Sequence, residues 1–511
     1  MGLSQRSVLL VLLENGILTL SGVFLTVVFA RTLGHAGLGE WKLVMSAQTF
    51  SMYILSFGFS MLVTRYTAEF VQRNRITAIS QLLKQTSIIS MIAAIFASTL
   101  YVSASYFGNW TQISSIFTPQ NAILISLALS LNLLNDIIGR AFLTGLGRRD
   151  WVAIIQIVAR LLFLSGIVTA LTLDKISLRF AVLMLTAGYF SELVLYLFTI
   201  IRWKRTLGNE RGEELTQKDK NRLIEFGGFQ WLFRIFQSLR EYAVDNFMLL
   251  AMKGVELVGL YGAAVAAPAI LRGISPAKLL SGIILPRLVP RDLETSSNTV
   301  ERIQFYFRLM QKITAITIWP LITILFILSE EFILLLFGDG FEEAATPMRI
   351  LLLFMVPTMA ADAFYTPALA LDQSKLTFHV SLWGVVNVLL NLALIPHWGA
   401  SGAAIGTGSI VLGIYLHYYL SLKQHGYPIH FPWDDCCKIG IAMTPLIAPV
   451  LIAKTIFSAN LPIIISLQVG LVGYLFSIRN IAPFDLNEKT FLKREFNGFS
   501  RIFIKNGNSY V

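Results

Sequence analysis

Polar and charged residues recur along one face of a segment that is long enough to cross a membrane. The segment runs from Glu225 to Ala251, and about 20 helical residues suffice to span a bilayer. At about 100° per residue, one arc of roughly 100° collects most of its polar side chains, namely Gln230, Arg234, Gln237, Ser238, Glu241 and Asp245; Arg240 and Asn246 break this division. A charge at the bilayer centre costs at least about 2.5–3.5 kcal/mol, so this arc has to face protein or water. The pattern predicts a helix that lines a hydrated cavity.

Two other interpretations of this segment stay open. The helix could lie along the membrane surface, with its polar face towards water. Alternatively, Arg234 could form a packed ion pair with Glu241 or Asp245, which would be structural and would require no cavity.

Arginines also occur near the middle of other predicted spans. Arg140, Arg160 and Arg272 join Arg234, and the four come from both halves of the chain. Guanidinium groups bind phosphate bidentately, so a cavity that they line suits an anion and phosphate above all. We therefore expect these four arginines to bind the substrate. Acidic residues within the predicted spans could balance that charge, and one of them could take H+ or Na+ to drive a cycle; these are Glu14, Asp136, Glu241 and Asp245.

Uncharged polar residues complete the expected cavity: Asn132, Gln237, Asn387 and Asn391. Asn387 and Asn391 are four residues apart on one helix face, and hydrogen bonding between helices is the alternative role for such a pair. Arg160 and Glu192 have an alternative too, because long side chains near helix ends can extend to the lipid headgroups.

The composition places the chain in a membrane. Of its 511 residues 55% are hydrophobic and 14% are charged, with a mean hydropathy of +0.66, whereas soluble domains carry roughly 25% charged residues. The two cysteines, Cys436 and Cys437, are adjacent and provide neither a disulfide framework nor zinc spacing. Walker A, HExxH and GxSxG motifs are missing. We therefore expect a transporter without metal or cofactor.

Apolar segments of membrane length recur along the whole chain, and we expect about 14 transmembrane helices in an all-α integral membrane protein. They are predicted near residues 8–30, 43–64, 86–107, 122–146, 151–173, 178–201, 225–251, 255–285, 309–329, 346–371, 376–396, 399–422, 438–457 and 461–478. The first is expected to be a retained helix and not a cleaved signal peptide.

The basic residues predict the orientation. With the N-terminus in the cytoplasm, about two thirds of the 41 Lys and Arg residues fall on the cytoplasmic side, and few fall outside. This bias predicts that both termini are cytoplasmic, and it explains the net charge of +11 without a nucleic-acid partner.

The polar segments predict the division of the chain. The predicted parts are an N-terminal lobe (1–201), a cytoplasmic linker (202–224), a C-terminal lobe (225–422), an extra helix pair (423–478) and a basic cytoplasmic tail (479–511). The two lobes are weakly alike, since Gly39 precedes Trp41 in one and Gly259 precedes Tyr261 in the other. Internal duplication of this kind is common in transporters.

The chain resembles the Wzx-like polysaccharide flippase family of the MOP exporter superfamily, which handles lipid-linked oligosaccharides. Five segments carry the resemblance: FARTLGHAGLGEW (29–41), GFSMLVTRYTAEF (58–70), VGLYGAAVA (258–266), FGDGFEEAATPMRILL (337–352) and VVNVLLNLALIPHWGASGAAIGT (385–407). The last is the most specific of them. The order and spacing match from about residue 5 to 480.

The resemblance implies two pseudo-symmetric six-helix lobes around a V-shaped cationic cavity, with an additional C-terminal helix pair. It implies translocation of a polyprenyl-diphosphate-linked oligosaccharide, the repeat unit of a cell-surface polysaccharide such as O-antigen, from the inner to the outer leaflet of the plasma (inner) membrane. The cycle would be alternating access coupled to an ion gradient. The implied partners are the lipid-linked oligosaccharide, membrane lipids and the polysaccharide polymerase machinery.

Two rival functions stay open. A MATE-type multidrug or cation antiporter belongs to the same superfamily, but usually has twelve helices and an acidic site for cationic drugs. A membrane polymerase or ligase acting on lipid-linked glycans would need a sizeable outer loop or an outer carboxylate cluster, and the predicted outer loops are short.

Overall fold

The computed structural model describes residues 5–107, 118–206, 213–276, 296–370, 374–456, 460–481 and 483–495, and all regular elements in these ranges are helices. The earlier elements are α1 (Gln5–Ile54), α2 (Phe59–Gln72), α3 (Ile76–Phe107), α4 (Pro119–Leu134) with a π-helical continuation (Asn135–Ala141), α5 (Phe142–Gly145), α6 (Arg149–Thr172), α7 (Leu178–Thr206), α8 (Gln217–Ser238), α9 (Tyr242–Lys253), α10 (Val255–Ala264) and α11 (Ala266–Gly273). The later elements are α12 (Ser296–Thr317), α13 (Trp319–Ile327), α14 (Ser329–Phe337), a 3₁₀ turn (Glu342–Ala344), α15 (Ala345–Ala370), α16 (Ser374–Ser381), α17 (Trp383–Gln424), α18 (Trp433–Ala442), α19 (Thr444–Ile456), α20 (Asn460–Ile481) and α21 (Leu486–Glu495).

The chain forms two compact units. The first comprises Met1–Ala266, Leu336–Ala344 and Ser381–Thr407; the second comprises Ala267–Leu335, Ala345–Val380 and Gly408–Val511. The candidate site described below lies in the first unit.

The protein is a multi-pass integral membrane protein. Within the described ranges, nine helices are long and apolar enough to cross a membrane, or eleven spans if each of two bent helix pairs counts as one. The predicted count of about 14 is therefore not confirmed. Part of the predicted helix at 255–285 lies outside the described residues, which stop at 276 before resuming at 296.

Two glycines explain part of the difference in count. At Gly34 and Gly399 the chain leaves helical geometry with a positive φ, 67° and 52° respectively, a conformation that glycine adopts without steric cost. α1 and α17 are therefore each two helices joined at a kink, close to where the sequence predicts the end of one span and the start of the next, although each counts once among the nine.

The predicted continuous helix over 225–251 is wrong at its centre. α8 ends at Ser238 and α9 begins at Tyr242. The break frees backbone groups, and Asn387 Nδ2 donates a 3.0 Å hydrogen bond to the carbonyl oxygen of Leu239, as a buried carbonyl requires. This capping residue comes from a helix much later in the chain, so the periodicity of 225–251 does not reveal it.

A buried ion pair anchors the chain just before α8. Arg75 Nη2 lies 2.8 Å from Asp219 Oδ2 and also donates to the carbonyl oxygen of Glu214. Thr216 and Asp219 form a reciprocal capping box at the start of α8. The hydrogen bond from Arg75 is the main reason that the pKa of Asp219 falls to about 2, and the bonds from Thr216 add to it. The same pair raises the pKa of Arg75.

α1 and α10 are in backbone contact at a pair of glycines. A Cβ atom on Gly39 would lie 2.1 Å from the carbonyl oxygen of Val255, and one on Gly259 would lie 2.0 Å from that of His35. The two contacts mirror each other, because Gly39 and Gly259 each follow five residues after a positive-φ glycine, Gly34 and Gly254. No other residue fits here without moving one of the helices.

Candidate functional site

Arg140 lies in the π-helical turn that continues α4. Its Nε is 3.1 Å from Oε1 of Glu192 on α7, and its Nη2 donates a 2.6 Å hydrogen bond to Oδ1 of Asn132. Asp136, in the same turn, lies 3.8 Å from the guanidinium. Two carboxylates therefore neutralise this half-buried arginine, as a guanidinium that has lost part of its hydration needs.

Close packing holds the π-helical turn in place. Gly139 faces the ring of Tyr196, where a Cβ atom would lie 2.1 Å from the ring. The hydroxyl of Tyr196 donates a 3.1 Å hydrogen bond to Glu192, and the hydroxyl of Ser60 donates to Asp136. π-helical turns often occur at functional sites, and this one brings Asp136 and Arg140 to a shared cavity.

Arg160 and Arg234 have a different environment from Arg140. Arg160 Nε donates a 2.6 Å hydrogen bond to Ser21 Oγ, and its guanidinium lies 5.3 Å from the ring centroid of Phe163. Arg234 lies 5.7 Å from the ring centroid of Tyr53. In the part of the chain that the structure describes, no carboxylate oxygen lies within 4.0 Å of either guanidinium. Their positive charges are therefore not compensated by an ion pair there.

These three arginines line one cavity of about 400 Å³ in the first unit. Its other polar lining residues are Gln48, Thr49, Tyr53, Asn132, Gln156, Tyr189 and Glu192. The volume falls within the range of roughly 300–1,000 Å³ that is typical of ligand sites. The cavity can thus hold an anionic group against Arg160 and Arg234, with hydrogen-bonding side chains around it.

A second cavity of about 360 Å³ shares Arg140, Gln156 and Arg234 with the first. Its wall contains Glu14, which is 1% exposed and accepts hydrogen bonds of 3.0 and 2.9 Å from Arg149 Nη2. With its amide nitrogen turned towards Glu14, Gln156 also accepts a 2.8 Å hydrogen bond from Arg140 Nε. Glu14 therefore balances Arg149, which is not among the four arginines predicted from the sequence.

Asp245 is the centre of a separate buried cluster in the first unit. Its Oδ2 accepts 2.7 Å hydrogen bonds from the hydroxyls of Tyr261 and Thr407, and its Oδ1 accepts one of 2.7 Å from Asn391 Nδ2. Asn387 Nδ2 lies 3.5 Å from Oδ1. Asp245, Asn387 and Asn391 are each fully buried. Such a carboxylate, held by neutral donors, is a place where a small cation can be accommodated.

The remaining predicted residues lie elsewhere. Arg272 is in the second unit, 3.3 Å from Asp362, and it is not among the lining residues of the two cavities. Gln237 is half-buried at the end of α8 and is not among the lining residues of either cavity. Glu241 caps α9 and accepts a 3.2 Å hydrogen bond from Tyr53. The alternative ion pair of Arg234 with Glu241 or Asp245 does not form.

Sequence reasoning missed several residues of the site. Extension to the lipid headgroups was one alternative for Glu192, yet this residue is 3% exposed and pairs with Arg140. Tyr261 and Thr407 lie in two of the segments that carried the family resemblance, which was the one available signal for them. Arg149 belongs to a basic turn that looked like an ordinary loop.

The comparison with protein families decides which group the sequence belongs to. Residues 5–277, more than half of the chain, match the family described as "Polysaccharide biosynthesis protein". The chain is a member of the polysaccharide biosynthesis protein family. No curated protein sequence matches it.

Solved transporter structures share the fold of this family member. The lipid II flippase MurJ in an inward closed conformation has a TM-score of 0.71 at 15% identity, covering 92% of this chain and 97% of that one. A MATE-family multidrug transporter of the MOP superfamily has a TM-score of 0.58 at 13% identity, covering 83% and 96%. The Vibrio cholerae MATE transporter VcmN has 0.54 at 13%, covering 80% and 94%. The chain thus shares its fold with these solved transporter structures.

Proposed function

We propose that this protein is a flippase for a polyprenyl-diphosphate-linked oligosaccharide, which it moves from the inner to the outer leaflet by alternating access. The observation that carries the proposal is the cavity of the first unit, where Arg160 and Arg234 lie without a carboxylate within 4.0 Å among the described residues. Family membership and the MurJ-like fold support the same substrate class.

The charges of the cavity select an anionic headgroup. Arg140 is already neutralised by Glu192 and Asp136, so it shapes the cavity and is not the first ligand of a phosphate. Arg160 and Arg234 remain for the diphosphate, and each charge-assisted hydrogen bond to a phosphate oxygen contributes about 1.5–3 kcal/mol.

The uncharged part of the cavity suits a glycan. Gln48, Asn132 and Gln156 offer amides, and Tyr53 and Tyr189 offer aromatic rings with hydroxyls. Sugar hydroxyls need both donors and acceptors, and amides supply both. The polyprenyl chain would stay in the bilayer, whose hydrocarbon it matches.

The ion gradient would act through Asp245. A carboxylate surrounded only by neutral donors is unfavourable when it is buried and charged, so a proton or a sodium ion arriving there would remove an unpaired charge. The amide of Asn391, which contacts Asp245, also has a buried oxygen, Oδ1, without a hydrogen-bond partner among the described residues. This oxygen is available as an acceptor for the arriving ion. Glu14 and Asp136, in contrast, each have an arginine guanidinium within 4.0 Å.

The MATE-type antiporter remains the second candidate, because MATE structures share the fold. The two uncompensated arginines oppose it, since a cationic drug would have to enter a cavity with excess positive charge. The transporter fold also disfavours the polymerase or ligase alternative.

Reconstitution tests the proposed function. The purified protein in liposomes, with a fluorescent polyprenyl-diphosphate oligosaccharide in both leaflets, should allow a membrane-impermeant quencher to reach all of the fluorophore. A neutral glycolipid that carries the same glycan, and protein-free liposomes, should show only the outer half quenched. Equal exchange of both lipids, or exchange of neither, would contradict the proposal.

A further inference from the structure

α10 is a short helix with contacts to two important regions of the first unit. It begins directly after Gly254, whose φ of 95° separates it from α9. Two of its residues make these contacts. Gly259 is in backbone contact with α1, and the hydroxyl of Tyr261 donates a hydrogen bond to Asp245. Gly262, one residue later, packs against the side chain of Lys42 on α1. One rigid turn therefore connects the Asp245 cluster with α1.

Tyr261 provides the only described polar contact from α10 to the carboxylate of Asp245. Its side chain is 0% exposed, and its hydroxyl donates a 2.7 Å hydrogen bond to Oδ2. The ring of Tyr242 packs edge-on against it at 6.3 Å between centroids. A tyrosine fixed in this way cannot turn its hydroxyl away unless α10 itself moves.

We propose that Tyr261 is a positioning residue that links the cation at Asp245 to the contact between α1 and α10. This inference rests on the coupling role that the proposed function gives to Asp245. A hydrogen bond to an anionic carboxylate is roughly twice as strong as one to a neutral group. When a cation neutralises Asp245, the hydrogen bond from Tyr261 to the carboxylate weakens. α10 can then rotate about Gly254, which connects it to α9.

The glycine contact makes such a pivot effective. The backbones of α1 and α10 touch at Gly39 and Gly259, with no side chain between them to absorb a displacement. Packed elements of this kind have few discrete arrangements, so a shift of α10 must change the packing of α1.

A second route from the cluster to α1 exists and has to be separated from this one. Asn246, next to Asp245, donates a 2.9 Å hydrogen bond to the hydroxyl of Ser46 on α1. This route runs through α9 and bypasses Tyr261. A Ser46→Ala variant therefore serves as the comparison for Tyr261→Phe.

The first test measures the distance between α1 and α10 and needs no substrate. The full-length chain first has both native cysteines replaced, by Cys436→Ser and Cys437→Ser. Spin labels are then attached at Ala36→Cys and Glu256→Cys, which are both exposed positions. In wild type the mean distance should shift between high and low pH, or between sodium chloride and choline chloride. Tyr261→Phe should lose most of that shift.

Tyr474→Phe is the matched control, because Tyr474 is 2% exposed and donates a single 2.7 Å hydrogen bond to the carbonyl oxygen of Ile316 in the second unit. It should keep the wild-type shift. A wild type without any cation-dependent shift would overturn the inference. So would a Tyr261→Phe variant that responds like wild type, or a response that Ser46→Ala removes and Tyr261→Phe retains.

The second test uses lipid exchange in liposomes. In Tyr261→Phe the ratio of the exchange rates with and without an imposed gradient should fall about tenfold from its wild-type value. Loss of both activities would overturn the inference, since the hydroxyl would then serve the fold or the substrate path. If wild type shows the label response but exchanges no lipid, the flippase function fails and the link through Tyr261 stands.

Discussion

Asn391 Nδ2 lies 2.7 Å from Oδ1 of Asp245, so an amide, and not a cation, holds this buried carboxylate. Glu192 differs, because Arg140 lies 3.1 Å from it. The first unit thus contains acids of two kinds. One kind pairs with arginines, and the other, Asp245, accepts hydrogen bonds from neutral side chains among the described residues.

Asp245→Asn should separate exchange from its driving force. The amide keeps the size of the carboxylate but never needs a cation, so gradient-free lipid exchange should persist while gradient stimulation drops about tenfold. Exchange rates with and without a pH or sodium gradient measure this. Full stimulation in Asp245→Asn would remove Asp245 from the coupling step. Asp362→Asn in the second unit, beside Arg272, is the control.

Arg140 should behave as a structural cation. Arg140→Met alone leaves Glu192 buried without its partner and should lower the free energy of unfolding by about 3–5 kcal/mol. The double variant Arg140→Met, Glu192→Met removes both charges and should recover much of that loss. Denaturation of detergent-solubilised protein measures both values. Additive losses in the double variant would mean that the two side chains do not act as a pair.

Gly39→Ala should destabilise the protein through the contact with α10. The added methyl meets the carbonyl oxygen of Val255, and overpacking of this kind costs about 1–3 kcal/mol. Gly16→Ala, in the part of α1 before the kink at Gly34, meets nothing within 4 Å and should stabilise by up to about 1 kcal/mol, because alanine is the better helix former. Thermal unfolding of both variants makes the comparison, and equal Tm values would refute the contact.

The anchor at Arg75 and Asp219 should depend on pH with a defined sign. The folded-state pKa of Asp219 is lowered to about 2 from 3.8, so its contribution, about 2 kcal/mol, is complete above pH 4 and is lost as the pH falls through 2. Hydrogen exchange of the amides at 213–219 should therefore stay slow from pH 7 to 4, after correction for intrinsic rates. Asp219→Asn should accelerate exchange already at pH 7; unchanged protection in this variant would disprove the anchor.

The sequence predicted the class of the protein and the composition of its polar faces. Hydropathy identified a helical membrane protein, and helical spacing placed Arg234 on a polar face. Arg234 lines the cavity, whereas Gln237, Glu241 and Asp245 of the same face are not among the lining residues. The i,i+4 spacing of Asn387 and Asn391 indicated a shared face, and both side chains meet Asp245. These inferences succeed because they depend on one segment at a time.

Pairings between distant segments could not be predicted in the same way. Periodicity tells which way Arg140 points along its helix but not that Glu192, on another helix, neutralises it. The break at Leu239 depends on Asn387, which supplies the missing hydrogen bond. Arg272 lies in an apolar predicted span, as the other three arginines do. In the structure, however, it is in the second unit, 3.3 Å from Asp362.

Lipid exchange by the double variant Arg160→Ala, Arg234→Ala tests the central claim most directly. Each lost contact to phosphate should slow exchange of the diphosphate-linked oligosaccharide by about 10–100-fold. Arg205→Ala, at the exposed end of α7, should exchange at the wild-type rate, and all variants should match wild type in Tm. A double variant that is folded and still exchanges this lipid as fast as wild type would contradict the account.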